Sequence, residues 1–136
     1  IIMVSTAELN EVTEISLLLF TSCFFWIMAY DTAYALCDKE DDLGIGINSS
    51  AIVFGENVRI FFYIFHIISL SVLILVSYIL DFHFSFYFFA MISLLLALYQ
   101  GFLIKDHDHL NCLKAFKNNN WLGLSIFLGS IAGVSL

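Results

Sequence analysis

The chain has 136 residues, 61% of them apolar and 17% aromatic, with no proline and a formal net charge of −7. Its mean hydropathy of +0.95 lies far outside the values of soluble domains of this length, so a bilayer is its natural solvent. The acidic balance argues against nucleic acid as a partner, because phosphate backbones are gripped by lysine and arginine, of which there are five.

The N-terminal segment opens Ile1-Ile2 rather than with methionine and carries no signal-peptide pattern, which suggests a part of a longer protein. Ser5-Thr6-Ala7-Glu8 reads as a capping box that opens the first helix, with Glu8, Glu11 and Glu14 in its early, solvated turns. Uncharged runs follow at 15–30, 60–80, 82–104 and 118–136. A bilayer core of about 30 Å needs roughly 20 helical residues. The two middle runs meet that length, and the outer two are slightly short, the first being expected to begin earlier. The reading is an all-α integral membrane fold of four transmembrane helices.

The first run ends in Tyr30-Asp31-Thr32-Ala33-Tyr34-Ala35-Leu36-Cys37-Asp38-Lys39-Glu40-Asp41-Asp42, five acids against one lysine. If this segment stays helical, Asp31, Tyr34, Asp38 and Asp42 fall at i, i+3, i+7 and i+11, on one face. Like charges so spaced destabilise a bare helix, and a divalent cation explains the stripe directly. A solvated loop is the plainer alternative. The next connection is small and polar, with Gly44, Gly46, Asn48, Ser49 and Gly55, and a short helical turn is expected around 50–54.

The runs at 60–80 and 82–104 are joined through Asp81, which makes an antiparallel hairpin. His66 sits mid-run and reads as a neutral histidine bonded to a backbone carbonyl. The second long polar loop, 105–119, carries Asp106-His107-Asp108-His109, read as hydrated, and ends beside Trp121, an interfacial anchor. Lys39, Arg59, Lys105, Lys114 and Lys117 all fall on the side of these two loops, so the positive-inside rule turns the acids toward the cytoplasm or its organellar equivalent. Cys23, Cys37 and Cys112 are odd in number and widely spaced, and imply neither a disulfide framework nor a metal quartet.

Carboxylates without accompanying cysteine or histidine ligands suit hard cations. Mg²⁺ in particular is held by one or two carboxylates together with substrate phosphates. A diphosphate ester of a hydrophobic chain would complete such a site at the membrane surface, its tail among the helices below. That geometry suits prenyl transfer, with the developing charge stabilised by metal and bases and the carbocation shielded from water by aromatic walls.

The residues Tyr30-Asp31-Thr32-x-Tyr34-Ala35, then Asp38, Asp41 and Asp42, Gly46-Ile47, Ser49-Ser50-Ala51 and Phe54-Gly55 resemble the second aspartate-rich motif and following loop of the UbiA prenyltransferase superfamily. Cys112-x-x-Ala115-Phe116 and Asn119-Asn120-Trp121-x-Gly123 resemble the last inner loop of its para-hydroxybenzoate polyprenyltransferases. The resemblance implies the C-terminal part of a nine-helix bundle, one UbiA-type domain over 1–136 lacking the half that holds the first aspartate-rich motif. It implies Mg²⁺-dependent transfer of a polyprenyl group from polyprenyl diphosphate to 4-hydroxybenzoate, in ubiquinone biosynthesis. The setting would be a bacterial or mitochondrial inner membrane.

Carried over by position, Asp38 and Asp42 become the catalytic metal-binding pair, and Asp31, Tyr34 and Asn48 substrate-binding positions. At Asn48 the family pattern has a lysine, and that departure should weaken diphosphate binding. With half the site missing, the chain alone is expected to be inactive. Two other readings stand beside this one: a degenerate, non-catalytic member of the same family, and a small membrane cation carrier. A carrier needs ionisable groups at the bilayer midplane, where only His66 lies.

Overall fold

The computed structural model describes residues 11–135, and their regular structure is entirely helical. The elements are α1 (Glu14–Cys37), α2 (Lys39–Ile45), α3 (Ser50–Phe54), α4 (Val58–Ile79), α5 (Ser85–Leu103) and α6 (His109–Ser135), with 3-10 turns at Gly55–Asn57 and Ile104–Asp106. The expected turn at 50–54 is α3.

Extended Thr13 caps α1, its side chain accepting a hydrogen bond from the Ser16 N–H at 3.2 Å. The capping box at 5–8 lies outside the described residues, and Glu11 precedes α1, so only Glu14 occupies its first turn. The first span therefore gains its length at the other end. It continues past Tyr30 through Thr32, Ala33, Leu36 and Cys37, all buried, to reach 24 residues, roughly 36 Å at 1.5 Å each. Asp31 and Tyr34 thus belong to the spanning helix itself.

Among the described residues, three helical segments are long and apolar enough to cross a membrane: Glu14–Cys37, Ser50–Ile79 and Ser85–Asp106. The fourth expected span is the later part of α6. It is helical, but Asn118, Asn119 and Asn120 together with its serines and glycines dilute its hydropathy.

Asp81 makes the connection between α4 and α5 in the left-handed region, φ 53°. The Phe82 N–H bonds the Ser77 carbonyl at 2.9 Å and the Asp81 N–H that of Tyr78 at 3.3 Å. This is a Schellman closure with aspartate in the usual place of glycine. The hairpin is then fastened to α6, where the His83 N–H donates to the Gly133 carbonyl at 3.0 Å and the Ser85 hydroxyl to that of Ala132 at 2.9 Å.

Small residues bring the helices together, as expected where lipid offers no hydrophobic drive between them. Ser22 of α1 donates to the Ser69 carbonyl of α4 at 3.0 Å, and Ser125 of α6 to the Phe89 carbonyl of α5 at 2.9 Å. At the opposite end from the hairpin, Ala33, Leu36, Cys37, Ala51, Val58, Phe62, Ile104, Cys112 and Ala115 form one buried cluster. It joins α1, α3, α4, α6 and the turn after α5, and it sets the loop end of the bundle as a single unit.

Candidate functional site

Asp38 divides the acid segment. Its φ of −95° and ψ of 5° end α1, and its carbonyl opens α2 by accepting from the Asp42 N–H at 2.9 Å. The continuous stripe expected from the spacing is split into two pairs: Asp31 with Tyr34 on α1, and Asp38 with Asp42 one helical turn apart. No side-chain cap bond engages the Asp38 carboxylate, although it sits at a helix start. Tyr34, one turn earlier, turns its hydroxyl toward that carboxylate. Gly46, in the left-handed region at φ 76°, closes α2. Asn48 is exposed in the connection to α3.

Below this acid pair lies an aromatic hollow of about 660 Å³ between α1 and α6, walled by Trp26, Tyr30 and Phe116, with Lys117, Asn119 and Asn120 also lining it. Its residues are fixed by specific contacts. The Trp26 indole donates to Asn119 Oδ1 at 2.8 Å, and Gly123 leaves room for the Trp26 ring, which an added Cβ would meet at 3.0 Å. The Phe116 ring lies 6.1 Å from Tyr30 and 5.0 Å from Tyr34. Tyr34 therefore touches both parts of the site, its hydroxyl near Asp38 and its ring against the wall of the hollow. Of the hollow's residues, only Tyr30 belongs to the acid motif. The signal for the rest was the spacing of Trp26, Tyr30 and Tyr34 at i, i+4 and i+8, and the run of three asparagines before an apolar segment.

The second loop is much shorter than its polar composition suggests. Asp108 caps α6, its Oδ2 accepting from the Asn111 N–H at 3.0 Å, so 109–119 is helix rather than loop. His107, Asp108 and His109 are brought beside Lys39, Glu40 and Asp41 around a cleft of about 620 Å³. His109 bonds the Cys37 carbonyl at 2.9 Å, replacing the expected hydrated loop with a structural tie. Burial pushes the neighbouring Cys112 thiol up to about 11, with the charges of Cys37 and Asp108 adding to the shift.

Arg59 donates to the Tyr63 hydroxyl at 3.3 Å and lies over its ring. His66 is only 2% exposed, and its Nε2 has no hydrogen-bond partner. Its ring packs edge-on against Phe62 and lies beside Gln100, so the backbone-carbonyl partner expected for it is not found at Nε2. Gln100 in turn donates to Asn118 Oδ1 at 3.2 Å.

Among the described residues no three histidine, cysteine or acidic side chains converge as a closed metal site. Asp38 and Asp42 instead offer two hard oxygen donors one turn apart, partly exposed and without an ion pair among the described residues. That donor set fits Mg²⁺ only as part of a coordination shell, with phosphate oxygens and water supplying the remainder.

The chain is 39% identical over 134 residues to a 4-hydroxybenzoate octaprenyltransferase of Photobacterium profundum, covering 98% of this chain and 47% of the relative. It is 40% identical over 129 residues to that of Hahella chejuensis, 95% and 43%, and 36% identical over 136 residues to that of Vesicomyosocius okutanii, 100% and 50%. The chain thus spans about half the length of the curated relatives it matches. No solved structure matches it significantly. The model of the UbiA prenyltransferase family matches residues 1–131, and the chain belongs to that family.

Proposed function

We propose that this chain supplies the second aspartate-rich half of a membrane aromatic prenyltransferase that moves a polyprenyl group from polyprenyl diphosphate to 4-hydroxybenzoate in ubiquinone formation. The observation that carries this reading is Tyr34, which links the Asp38 and Asp42 pair to the aromatic hollow through its hydroxyl and its ring. Its four membrane helices are the three long apolar segments and the later part of α6, and the relatives' bacterial origin favours an inner membrane with the acids facing the cytoplasm.

When bound at Asp38 and Asp42, Mg²⁺ supplies neutralising charge for a diphosphate leaving group. The chain's own residues do the rest. Asp38 and Asp42 would hold the ion through which the diphosphate head is fixed at the loop end. Tyr30, Tyr34, Trp26 and Phe116 give the allylic group an apolar wall that excludes water while its carbon–oxygen bond breaks. The electron pair of that bond leaves with diphosphate, the ring carbon ortho to the phenol forms the new bond, and the ring proton is lost. Asp31 and Asn48 border the donor's path in this reading.

A second reading, a non-catalytic member of the family, draws on Asn48, where the family's cation is replaced by a neutral amide. Turnover separates the two. Membranes containing the full-length parent are expected to prenylate 4-hydroxybenzoate in a Mg²⁺-dependent way, and the 136-residue chain alone to be inactive. Absence of turnover in the parent, restored by Asn48→Lys, would establish the degenerate reading instead.

A further inference from the structure

Helices α5 and α6 enclose two hollows that meet at Trp121, and Lys117 of the upper one also borders the hollow between α1 and α6. The upper one, about 290 Å³, is lined by Tyr99, Lys114, Lys117, Asn118 and Trp121. Lys114, Lys117, Asn118 and Trp121 fall at i, i+3, i+4 and i+7 on α6, so they share a face. Both lysines are exposed, and neither forms an ion pair among the described residues. No carboxylate lines the hollow. Tyr99 is 49% and Trp121 62% exposed, amphipathic rings beside the charges, with Trp121 one turn beyond Lys117 and two beyond Lys114.

The lower hollow, about 340 Å³, continues from Trp121 along the groove between Phe89, Ile92 and Leu96 of α5 and Leu124 and Leu128 of α6. It is nearly free of polar atoms and opens sideways. A pair of cations beside two aromatics, continuing into an apolar furrow, matches an amphiphile with an anionic head and a hydrocarbon tail.

We propose that this flank binds an anionic phospholipid, with the phosphate at Lys114 and Lys117 and one acyl chain in the furrow below Trp121. The inference rests on the membrane reading of the chain, and of its residues only Lys117 is shared with the hollow between α1 and α6. The absence of acids from the lining favours a phospholipid over a prenyl diphosphate, since a diphosphate held with Mg²⁺ calls for carboxylates such as those on α2. Basic pockets between membrane helices on the inner side bind such headgroups on the same physical grounds.

The test places the chain in phosphatidylcholine bilayers containing traces of spin-labelled phosphatidylglycerol or spin-labelled phosphatidylcholine, and reads the motionally restricted fraction of each. A nearby lysine is worth about fivefold in association with an anionic headgroup. Wild type should prefer phosphatidylglycerol by at least that factor. Lys114→Gln with Lys117→Gln should bring the preference to unity with the helical circular dichroism unchanged, and Trp121→Ala should lower retention of the lipid while leaving its charge preference. Equal association of the two lipids with wild type, or an undiminished preference in the double lysine variant, overturns the proposal. So does displacement of the label by farnesyl diphosphate where added phosphatidylglycerol fails to compete, which would give the cleft to a prenyl donor. Displacement by inorganic phosphate alone would give it to a free anion and overturn it equally.

Discussion

The Nδ1 atom of His109 lies 2.9 Å from the main-chain carbonyl oxygen of Cys37, tying the first turn of α6 to the last turn of α1. A carbonyl only accepts, so Nδ1 carries the proton. The bond satisfies one of the carbonyls that a helix end leaves without a partner, immediately before the acid pair. His109→Ala should cost about 1 kcal/mol of stability and speed amide exchange at 38–42. Unchanged exchange there would show that this tie does not hold the acid segment.

Tyr63 occupies the space above Gly101, where an added Cβ would collide with its ring. Gly101→Ala should therefore displace Tyr63 together with Arg59, which is bonded to it, and destabilise the bundle by about 1–3 kcal/mol. Thermal unfolding in detergent measures this. Tyr63→Ala should lessen the penalty of the glycine change, and strict additivity of the two would contradict the close approach.

Cys112 is fully buried, and its thiol titrates near 11. Because the thiolate is the nucleophile, a raised value means a protonated, inert sulfur across the physiological range. Maleimide should leave Cys112 unlabelled in native membranes from pH 7 to 9 and label it after denaturation. Rapid native labelling at pH 7.5 would contradict both its burial and its neutral state.

The apolar runs, the α4–α5 hairpin at Asp81 and the turn at Ser50–Phe54 were legible because hydropathy and small polar residues act locally. The start of α6 was not. Its first turns carry His109, Asn111, Lys114, Lys117 and Asn118, which lower the hydropathy of a helix without preventing it, and the Asp108 cap was hidden inside an alternating acid and histidine run. The break at Asp38 was invisible for a related reason: no glycine or proline marks it, and α2 restarts at the next residue. Long-range polar ties were beyond reach. Trp26 meets Asn119 across 93 positions and His109 meets Cys37 across 72, and neither pairing follows from spacing. Asp31, Tyr34, Asp38 and Asp42 were singled out as a group, but the sequence did not reveal that Tyr34 faces Phe116.

The pair Asp38 and Asp42, at the junction of α1 and α2, is the centre of the functional proposal, and its partner is a diphosphate with Mg²⁺. Equilibrium binding of a non-hydrolysable prenyl diphosphate analogue to the full-length parent, with Mg²⁺ and after its removal by EDTA, tests it most directly. Asp38→Asn and Asp42→Asn are expected to fold normally, to lose the Mg²⁺-dependent part of binding, and to lower turnover at least about 100-fold, roughly 2.7 kcal/mol of transition-state stabilisation. Wild-type Mg²⁺-dependent binding and turnover in both variants would contradict the assignment.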